Sequence, residues 1–230
     1  MNEALWYLLM IPAAYLLGSL PSGVIVAKAA GGVDVREQGS RSTGMTNVMR
    51  TVGVGPAILV LALDVGKGAL AVLGARLVAQ GVDLPPTGQW YLEMACAIAA
   101  LAGHNWSIYL RFRGGRGIAT GLGALLALSP WMGALAVVAG LPVIALSRYV
   151  SLGSLMGVVF GGMGILALSI AGVHPIAYGL YGAIGAVLIT FRHRENIRRL
   201  LAGTESRLGR RSPPTTPEGA PPLTRGGGPW

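Results

Sequence analysis

Long apolar runs separated by short polar connections form the basic pattern of this chain. A helix needs about 20 residues to cross a hydrocarbon core of about 30 Å. Four runs clearly reach that length, and they cover residues 4–30, 54–79, 90–110 and 152–171. A somewhat shorter run covers residues 175–191. Each of these five runs is predicted to be a membrane-spanning helix.

A further apolar run, residues 118–146, is interrupted by Ser129-Pro130. Proline lacks an amide donor and disfavours the helical conformation of the residue before it, so a helix end is expected there. We interpret this run as two short helices in a hairpin. The sequence therefore predicts an all-α polytopic membrane protein with seven transmembrane helices, including a short broken hairpin.

Lysine and arginine mark one side of the membrane, because cytoplasmic connections are enriched in them. Basic residues lie in the first connection, in the third, after the hairpin and after the last span: Lys28, Arg36, Arg41, Arg50, Arg111, Arg113, Arg116, Arg148, Arg192, Arg194, Arg198 and Arg199. Arg76, Asp83, Glu93 and the nearly uncharged turn 172–174 are left for the outside. This distribution predicts an N-terminus outside and a C-terminus in the cytoplasm.

Composition agrees with a membrane protein, since 53% of the residues are hydrophobic and only 12% are charged. We expect one integral-membrane domain over residues 1–210 and a disordered, Pro/Gly-rich cytoplasmic tail over residues 211–230. The single cysteine, Cys96, lies in an apolar run, so neither a disulfide framework nor a cysteine metal site is expected. No metal and no cofactor is predicted. The net charge of +9 fits anionic lipids or an anionic substrate.

The first connection contains the polar stretch GSRSTGMTNVMR, residues 39–50. Its glycines allow close backbone approach, and its hydroxyl, amide and guanidinium groups suit a phosphate. The candidate ligands are Ser40, Ser42, Thr43, Gly44, Thr46, Asn47 and Arg50, with Arg41 beside them. The alternative is a solvated connection with Ser42 or Thr46 capping a helix.

The third connection, residues 103–117, repeats this combination of arginine and glycine. Gly114, Gly115 and Gly117 precede an apolar run, and free amides at a helix N-terminus would form an anion site. The alternative for the arginines is anchoring at the membrane interface. A single Arg-Gly-Gly-Arg between two spans is not an RNA-binding array, so no nucleic-acid partner is expected.

Three residue pairs at helical spacing add polar groups. Ser151 and Ser154 fall on one helix face, and so do His193 and Asn196. Asp64 and Lys67 lie inside the second apolar run, where charges are costly and mark function or a partner. The pair is either a structural ion pair, or Lys67 lines a substrate cavity. An enzyme acting on a phosphorylated metabolite and a lipid fits these features; an organic-phosphate transporter also fits, although no internal repeat is visible.

Six motifs in this order resemble the bacterial acyl-phosphate:glycerol-3-phosphate acyltransferase family (PlsY). They are GSLPSG at 18–23, GSRSTGMTNVMR, DVGKG at 64–68, GHNWSIYLRFRGGRGIAT at 103–120, RYVSL at 148–152 and HRENIRRLLAGTE at 193–205. The resemblance covers roughly residues 5–210. Arg113 and Arg116 stand where the family usually has lysines.

This resemblance implies acyl transfer from acyl phosphate to the sn-1 hydroxyl of glycerol 3-phosphate, giving 1-acyl-sn-glycerol 3-phosphate (lysophosphatidic acid) and phosphate in phospholipid synthesis. It implies a seven-helix fold in the bacterial cytoplasmic (inner) membrane with the active site towards the cytoplasm. The implied partners are acyl phosphate, glycerol 3-phosphate and membrane lipids. The sequence leaves the oligomeric state open, a monomer being one of the options.

The resemblance also assigns site residues. It implies that His193, Ser40, Arg50 and Arg116 are catalytic. The implied substrate-binding residues are Ser40, Ser42, Thr43, Gly44, Thr46, Asn47, Arg50, Lys67, His104, Gly114, Gly115, Arg116, Ser151, Ser154, His193 and Asn196. We expect no carboxylate beside these loops that is an evident general base. Either His193 or a substrate phosphate oxygen then takes the proton of the attacking hydroxyl.

Overall fold

The computed structural model describes residues 3–209, and these contain helices and connections but no strand. The first half comprises α1 Glu3–Ser19, α2 Ser22–Gly31, α3 Met45–Thr51, α4 Val54–Gly81 and α5 Pro86–Asn105. The second half comprises α6 Ile118–Leu128, α7 Pro130–Ser147, α8 Val150–Gly157, α9 Gly164–Ile170, α10 Ile176–Arg192 and α11 Arg194–Leu201. A 3₁₀ turn covers Ile108–Leu110, and a π-helix, Val158–Met163, joins α8 to α9. The all-helical prediction is confirmed.

Four helical segments of the described part are long and apolar enough to cross a membrane: Glu3–Gly31, Val54–Gly81, Pro130–Ser147 and Val150–Ile170. The predicted run 90–110 is also helical, but α5 already ends at Asn105. The boundary prediction was wrong because the chain turns back onto the end of α5, where loop amides bind its last carbonyls. Pro21 separates α1 from α2, a break that the sequence analysis did not predict.

The predicted break between α6 and α7 is confirmed at Ser129, which is extended (φ −150°, ψ 98°), and Pro130 begins α7. The expectation of two short helices holds only for α6. Its 11 residues rise about 16 Å, whereas the 18 residues of α7 rise about 27 Å. The hairpin is therefore one half-length and one full-length helix.

Small residues bring the helices into close contact around α4 and α5. A Cβ atom on Gly68 of α4 would lie 2.0 Å from the Thr120 carbonyl oxygen of α6. A Cβ atom on Gly18 of α1 would lie 2.1 Å from the Ala100 carbonyl oxygen of α5. Such backbone approach stabilises helix association in a lipid environment, where the hydrophobic effect between helices is weak.

The segment after α11 folds back over the start of α8. The Leu208 amide donates to the Arg148 carbonyl oxygen at 2.7 Å, and Arg207 donates to the Tyr149 hydroxyl at 3.1 Å. This return places residues 204–208 over the ends of α3, α8 and α11. The tail predicted for 211–230 lies outside the described residues.

Candidate active site

Four guanidinium groups converge at one end of the bundle. They come from α3 (Arg50), the loop before α6 (Arg116), the end of α10 (Arg192) and α11 (Arg199). Burial lowers the pKa of Arg116 to about 10; the Glu205 carboxylate opposes this shift and the three other guanidinium groups reinforce it. An excess of positive charge in a partly desolvated place is suited to a dianionic phosphate.

A carboxylate lies in the middle of these cations. Oε1 of Glu205 accepts hydrogen bonds from Ser151 Oγ at 2.7 Å and from Asn196 Nδ2 at 2.6 Å. Its Oε2 accepts one from Arg199 Nε at 2.7 Å. The sequence analysis did not predict that Glu205 lies beside the polar loops. The chain reverses after α11 at Gly203 (φ 69°), and the reversal brings Glu205 back to Asn196.

Glu205 is nevertheless a poor general base. Burial raises the pKa of its carboxyl group, but the hydrogen bonds from Asn196, Ser151 and Arg199 outweigh this and hold the pKa below its ordinary value. Glu205 is thus an ionised acceptor that orients its three donors. Next to it, Arg50 reaches the same returning segment, with Nη1 donating to Ser206 Oγ at 3.1 Å.

His193 is buried at the junction of α10 and α11, beside this cluster. Its Nδ1 lies 2.8 Å from the Ile189 carbonyl oxygen, which only accepts, so Nδ1 carries the proton. Nε2 is therefore the nitrogen with the lone pair. Burial lowers the pKa of His193 to about 4; the bond to Ile189 opposes this and Arg116 reinforces it. His193 is neutral at pH 7 and offers one acceptor.

The glycine-rich loop closes over the end of α5. The Gly115 amide donates to the His104 carbonyl oxygen at 2.9 Å, and the Gly114 amide to the Asn105 carbonyl oxygen at 3.3 Å. The expectation that these two amides are free was wrong, because they satisfy the unpaired carbonyls at the α5 C-terminus. A Cβ atom on Gly115 would lie 2.2 Å from His104 Nε2, so only glycine permits this approach.

Two other features of this loop favour an anion. Arg192 holds it from the end of α10, with Nε 3.0 Å from the Gly115 carbonyl oxygen and Nη2 3.1 Å from that of Gly114. Gly117 (φ 84°) is the N-cap of α6, whose first amides have no intrahelical acceptor. The predicted helix N-terminus is present, although Gly114 and Gly115 contribute shape and not donors.

The 39–50 loop is organised around Asn47. Its Nδ2 donates to the carbonyl oxygens of Val35 at 2.8 Å and Ser42 at 2.9 Å, and its Oδ1 accepts from the Ser40 amide at 2.9 Å. Asn47 is therefore engaged in shaping the loop. Ser40 is exposed at the loop surface, and Ser42, Gly44 and Thr46 are half-buried. Their hydroxyls and backbone surround the start of α3.

The two polar loops meet above the buried charges of α4. Asp64 Oδ1 lies 2.8 Å from Lys67 Nζ and 3.6 Å from His104 Nδ1. Lys67 Nζ also donates to the Leu20 carbonyl oxygen at 3.2 Å, made available by the break before α2. Lys67 and His104 line a polar cavity of about 10 Å³ together with Thr43 of the first loop and Gly114 of the third. Lys67 is therefore ion-paired and borders a small polar cavity, and its contact with substrate stays a prediction.

An apolar cavity of about 160 Å³ begins at Ile189, one helical turn before His193. Its walls come from α6, α7, α8, the π-helix and α10. Ser154 and Ile189 line it, and the Ile189 carbonyl oxygen is the acceptor for His193. Ser151 and Ser154, which their spacing placed on one helix face, have different surroundings. Ser151 donates to Glu205, and Ser154 lines the cavity.

Comparison of the chain with known proteins points to one family. The family model described as glycerol-3-phosphate acyltransferase matches residues 8–203. The chain is 44% identical over 207 residues to the glycerol-3-phosphate acyltransferase of Halalkalibacterium halodurans, covering 90% of this chain and 98% of the relative. It is 46% identical over 212 residues to a glycerol-3-phosphate acyltransferase of Thermus thermophilus, covering 92% and 98%. The chain belongs to the glycerol-3-phosphate acyltransferase family.

Solved structures of the family share the fold. The glycerol 3-phosphate form of PlsY, an integral membrane glycerol 3-phosphate acyltransferase, has a TM-score of 0.77 and 36% identity over 88% of this chain and 96% of that one. Its lysophosphatidic acid form gives 0.76 and 35% over 88% and 95%. Together with the four long apolar helices, this makes the present glycerol-3-phosphate acyltransferase family member a multi-pass membrane protein.

Sequence reasoning missed three residues of the site in this family member. Glu205 closes the last motif, and Arg192 and Arg199 were counted only as markers of the cytoplasmic side. Each acts through a contact distant in sequence or across a chain reversal. A second carboxylate, after Glu195, at the end of the arginine-rich motif was the available signal for Glu205.

Proposed function

We propose that this chain transfers a fatty acyl group from acyl phosphate to the sn-1 hydroxyl of glycerol 3-phosphate. The products are 1-acyl-sn-glycerol 3-phosphate and inorganic phosphate, in phospholipid synthesis. The observation that carries this proposal is the closeness of the cluster of four guanidinium groups, here called the polar pocket, to an apolar cavity. His193 lies beside that cluster and bonds to the Ile189 carbonyl oxygen, and Ile189 lines the cavity. A substrate with a phosphate head and a hydrocarbon tail fits such a pair of adjoining sites.

Glycerol 3-phosphate is assigned to the polar pocket. Its phosphate accepts bonds from Arg116 and Arg50, with Ser151 and Asn196 as further donors and His193 beside the glycerol hydroxyls. The convergence of guanidinium groups around Arg116 supports this position. A bound dianion competes with Glu205 for Ser151 and Asn196, and Arg199 remains to neutralise Glu205.

Acyl phosphate is assigned to the other loop. Its phosphate lies at the 39–50 loop, where Ser40, Ser42, Thr43, Gly44 and Thr46 supply donors. The meeting of Thr43 and Gly114 at the Lys67 cavity supports two neighbouring phosphate positions. The acyl chain then enters the apolar cavity lined by Ser154.

The reaction requires one bond exchange and one proton transfer. The glycerol hydroxyl oxygen attacks the acyl carbonyl carbon, and the bond from that carbon to the phosphate oxygen breaks. The leaving phosphate is a good leaving group, and its oxygen takes the hydroxyl proton. His193, neutral with Nε2 as an acceptor, orients the hydroxyl in this scheme. The rival scheme has Nε2 take the proton.

The donor is tested with purified protein in lipid bicelles. Palmitoyl phosphate and palmitoyl-CoA are each supplied with glycerol 3-phosphate, and acylated product is measured by mass spectrometry alongside phosphate release. We expect product and phosphate from palmitoyl phosphate alone. Product from palmitoyl-CoA at an equal rate would contradict the assigned donor. Acyl position in the product checks the sn-1 assignment.

The proposed setting is the bacterial inner membrane, crossed seven times, with the N-terminus outside and the C-terminus and active site in the cytoplasm. The supporting observation is that the arginines of the first, third and last predicted cytoplasmic connections meet at one end of the bundle. The polar substrate would then be drawn from the cytoplasm and the acyl chain from the inner leaflet.

A further inference from the structure

The apolar cavity beside the polar pocket has a closed end that is made of the protein core. Leu125 and Tyr181 line the cavity and belong to a buried hydrophobic cluster, with Ile165 packed in the same cluster. Ala136 lines the cavity from α7 and packs against that cluster. The hydrocarbon space therefore stops where this core begins.

The depth of the cavity follows from the helices that line it. Ile189 marks the polar end on α10 and Tyr181 the closed end, and the eight residues between them rise about 12 Å. Ile144 and Ala136 on α7 give the same rise of about 12 Å. Two independent helices thus place the closed end at one level.

The Tyr181 side chain is held at that level by a hydrogen bond. Its hydroxyl donates to the Gly121 carbonyl oxygen of α6 at 2.7 Å, and the side chain is buried. The bond ties α10 to α6 and fixes the ring, so the ring cannot swing aside for a longer ligand without losing a buried bond. Gly185 lies one turn away on the same wall, where the absence of a side chain keeps the cavity open.

We propose that Tyr181 forms the floor of the acyl-chain cavity and sets the longest acyl group that the enzyme accepts readily. This inference rests on the proposed acyl transfer. A chain in the bilayer is already in hydrocarbon, so moving it into an apolar cavity gives little transfer free energy. Discrimination between chain lengths therefore comes from steric overpacking at the floor.

Two substitutions change the cavity in opposite directions. Gly185→Val shortens the space, because its Cβ atom would make ordinary van der Waals contact with Leu101 Cδ2 at 3.8 Å and Tyr181 Cζ at 4.0 Å, and its two methyl groups extend further. Tyr181→Leu removes the ring and deepens it. Tyr181→Phe keeps the ring but loses the bond to Gly121, so the floor stays filled but is held less firmly.

The assay supplies an equimolar mixture of lauroyl, myristoyl, palmitoyl and stearoyl phosphate with saturating glycerol 3-phosphate in bicelles, and mass spectrometry gives the product distribution. Gly185→Val is expected to lower the stearoyl-to-myristoyl product ratio about fivefold or more, the penalty of overpacking by about 1 kcal/mol. Tyr181→Leu is expected to raise that ratio, and Tyr181→Phe to raise it by less than Tyr181→Leu does.

Gly74→Val and Tyr178→Phe are the matched controls. Gly74 is a mid-helix glycine of α4 with only Met10 Cε at 3.9 Å, and Tyr178 is a buried tyrosine one turn before Tyr181 that does not line the cavity. Both should keep the wild-type distribution. A wild-type distribution in active Gly185→Val protein would overturn the floor and leave acyl transfer standing. Absence of product from every acyl phosphate with wild-type protein would overturn both. Gly185→Val decides the matter by itself where Tyr181→Leu does not fold.

Discussion

At the scale of single residues, substitution of Arg116 tests whether this residue binds an anion or anchors the protein at the membrane interface. Its neighbours are three guanidinium groups and one carboxylate, an arrangement that is costly without an anion. We expect Arg116→Ala to lower kcat/KM for glycerol 3-phosphate by about 10- to 150-fold, since a buried charge-assisted bond contributes about 1.5 to 3 kcal/mol. Arg116→Lys should retain part of the activity, because it keeps the charge but loses the fork.

Arg113 in the same loop provides the control for Arg116. It is exposed, and Arg113→Ala is expected to stay within about twofold of wild type. Equal small losses for both alanine variants at subsaturating glycerol 3-phosphate would show that Arg116 is an interfacial anchor.

Substitution of His193 distinguishes the two candidate proton acceptors, which are its own Nε2 and an oxygen of the leaving phosphate. If His193 only binds the hydroxyl, His193→Gln should mainly raise KM and keep kcat within about tenfold, as for lost uniform binding. If it is the general base, kcat should fall by about 10² to 10⁴. We expect the first outcome, because acyl phosphate is already activated. In addition, the pKa of His193 in the substrate-free protein is about 4, which makes the side chain a weak base at pH 7. A thousandfold loss of kcat in folded, substrate-binding protein would reverse this.

The same residue predicts a pH dependence of stability. The pKa of His193 is about 4 in the folded protein and 6.5 ordinarily, so the unfolded chain takes up a proton before the folded one does. Stability is therefore expected to fall as pH drops from about 6.5 to about 4, by up to about 3 kcal/mol, and this contribution should be absent in His193→Gln. Melting temperatures of both proteins across pH 4 to 7 in detergent measure it; parallel curves would contradict it.

At the scale of helices, a buried ion pair holds the end of the half-length helix. Arg76 of α4 pairs bidentately with Glu93 of α5, with both N···O distances 2.9 Å, and its Nη2 also donates to the Ala127 carbonyl oxygen at 3.0 Å. Tyr178 of α10 donates to the same carboxylate at 2.6 Å. This network joins α4, α5, α6 and α10 and satisfies a terminal carbonyl of α6.

We expect Glu93→Gln to destabilise the protein by about 1 to 3 kcal/mol, because it leaves the guanidinium group, 30% of whose side chain is exposed, without a counter-charge. Arg76→Gln combined with Glu93→Gln should recover part of this loss. Tyr178, which donates to Glu93, lies 15 residues before His193, about 22 Å along the helix. Because the network is that far from the candidate active site, both variants should keep their activity at low temperature. Additive losses in the double variant, measured by thermal unfolding, would contradict the coupling.

Helix positions were largely predictable because each long apolar run is a local property of the sequence. Ser129-Pro130 marked the hairpin turn for the same reason, since its effect on the backbone is local. The short helix α11, the capping of α5 by Gly114 and Gly115, and the return of Glu205 to Asn196 were not predicted. Each depends on contacts between segments distant in sequence or on a chain reversal, which no periodicity records. The sequence analysis therefore named most of the candidate residues, but it did not predict which groups they contact.

At the scale of the whole molecule, the membrane topology is predicted from the distribution of charged residues. The Lys and Arg bias predicts that the connection after α2 and the C-terminus are cytoplasmic and that the end of α4 is outside. Gln38 and Gln80 are exposed residues on these two sides, and the native Cys96 is buried. Single cysteines at Gln38 and at Gln80, each in a Cys96→Ala background, should react with a membrane-impermeant maleimide from opposite sides. Gln80→Cys is expected to label in intact cells and Gln38→Cys only after permeabilisation, both in protein that retains acyltransferase activity. Labelling of both from one side would contradict the seven-span prediction. Labelling of Gln38→Cys in intact cells and of Gln80→Cys only after permeabilisation would contradict an N-terminus outside, and would place the cluster of arginines on the wrong face for a cytoplasmic substrate.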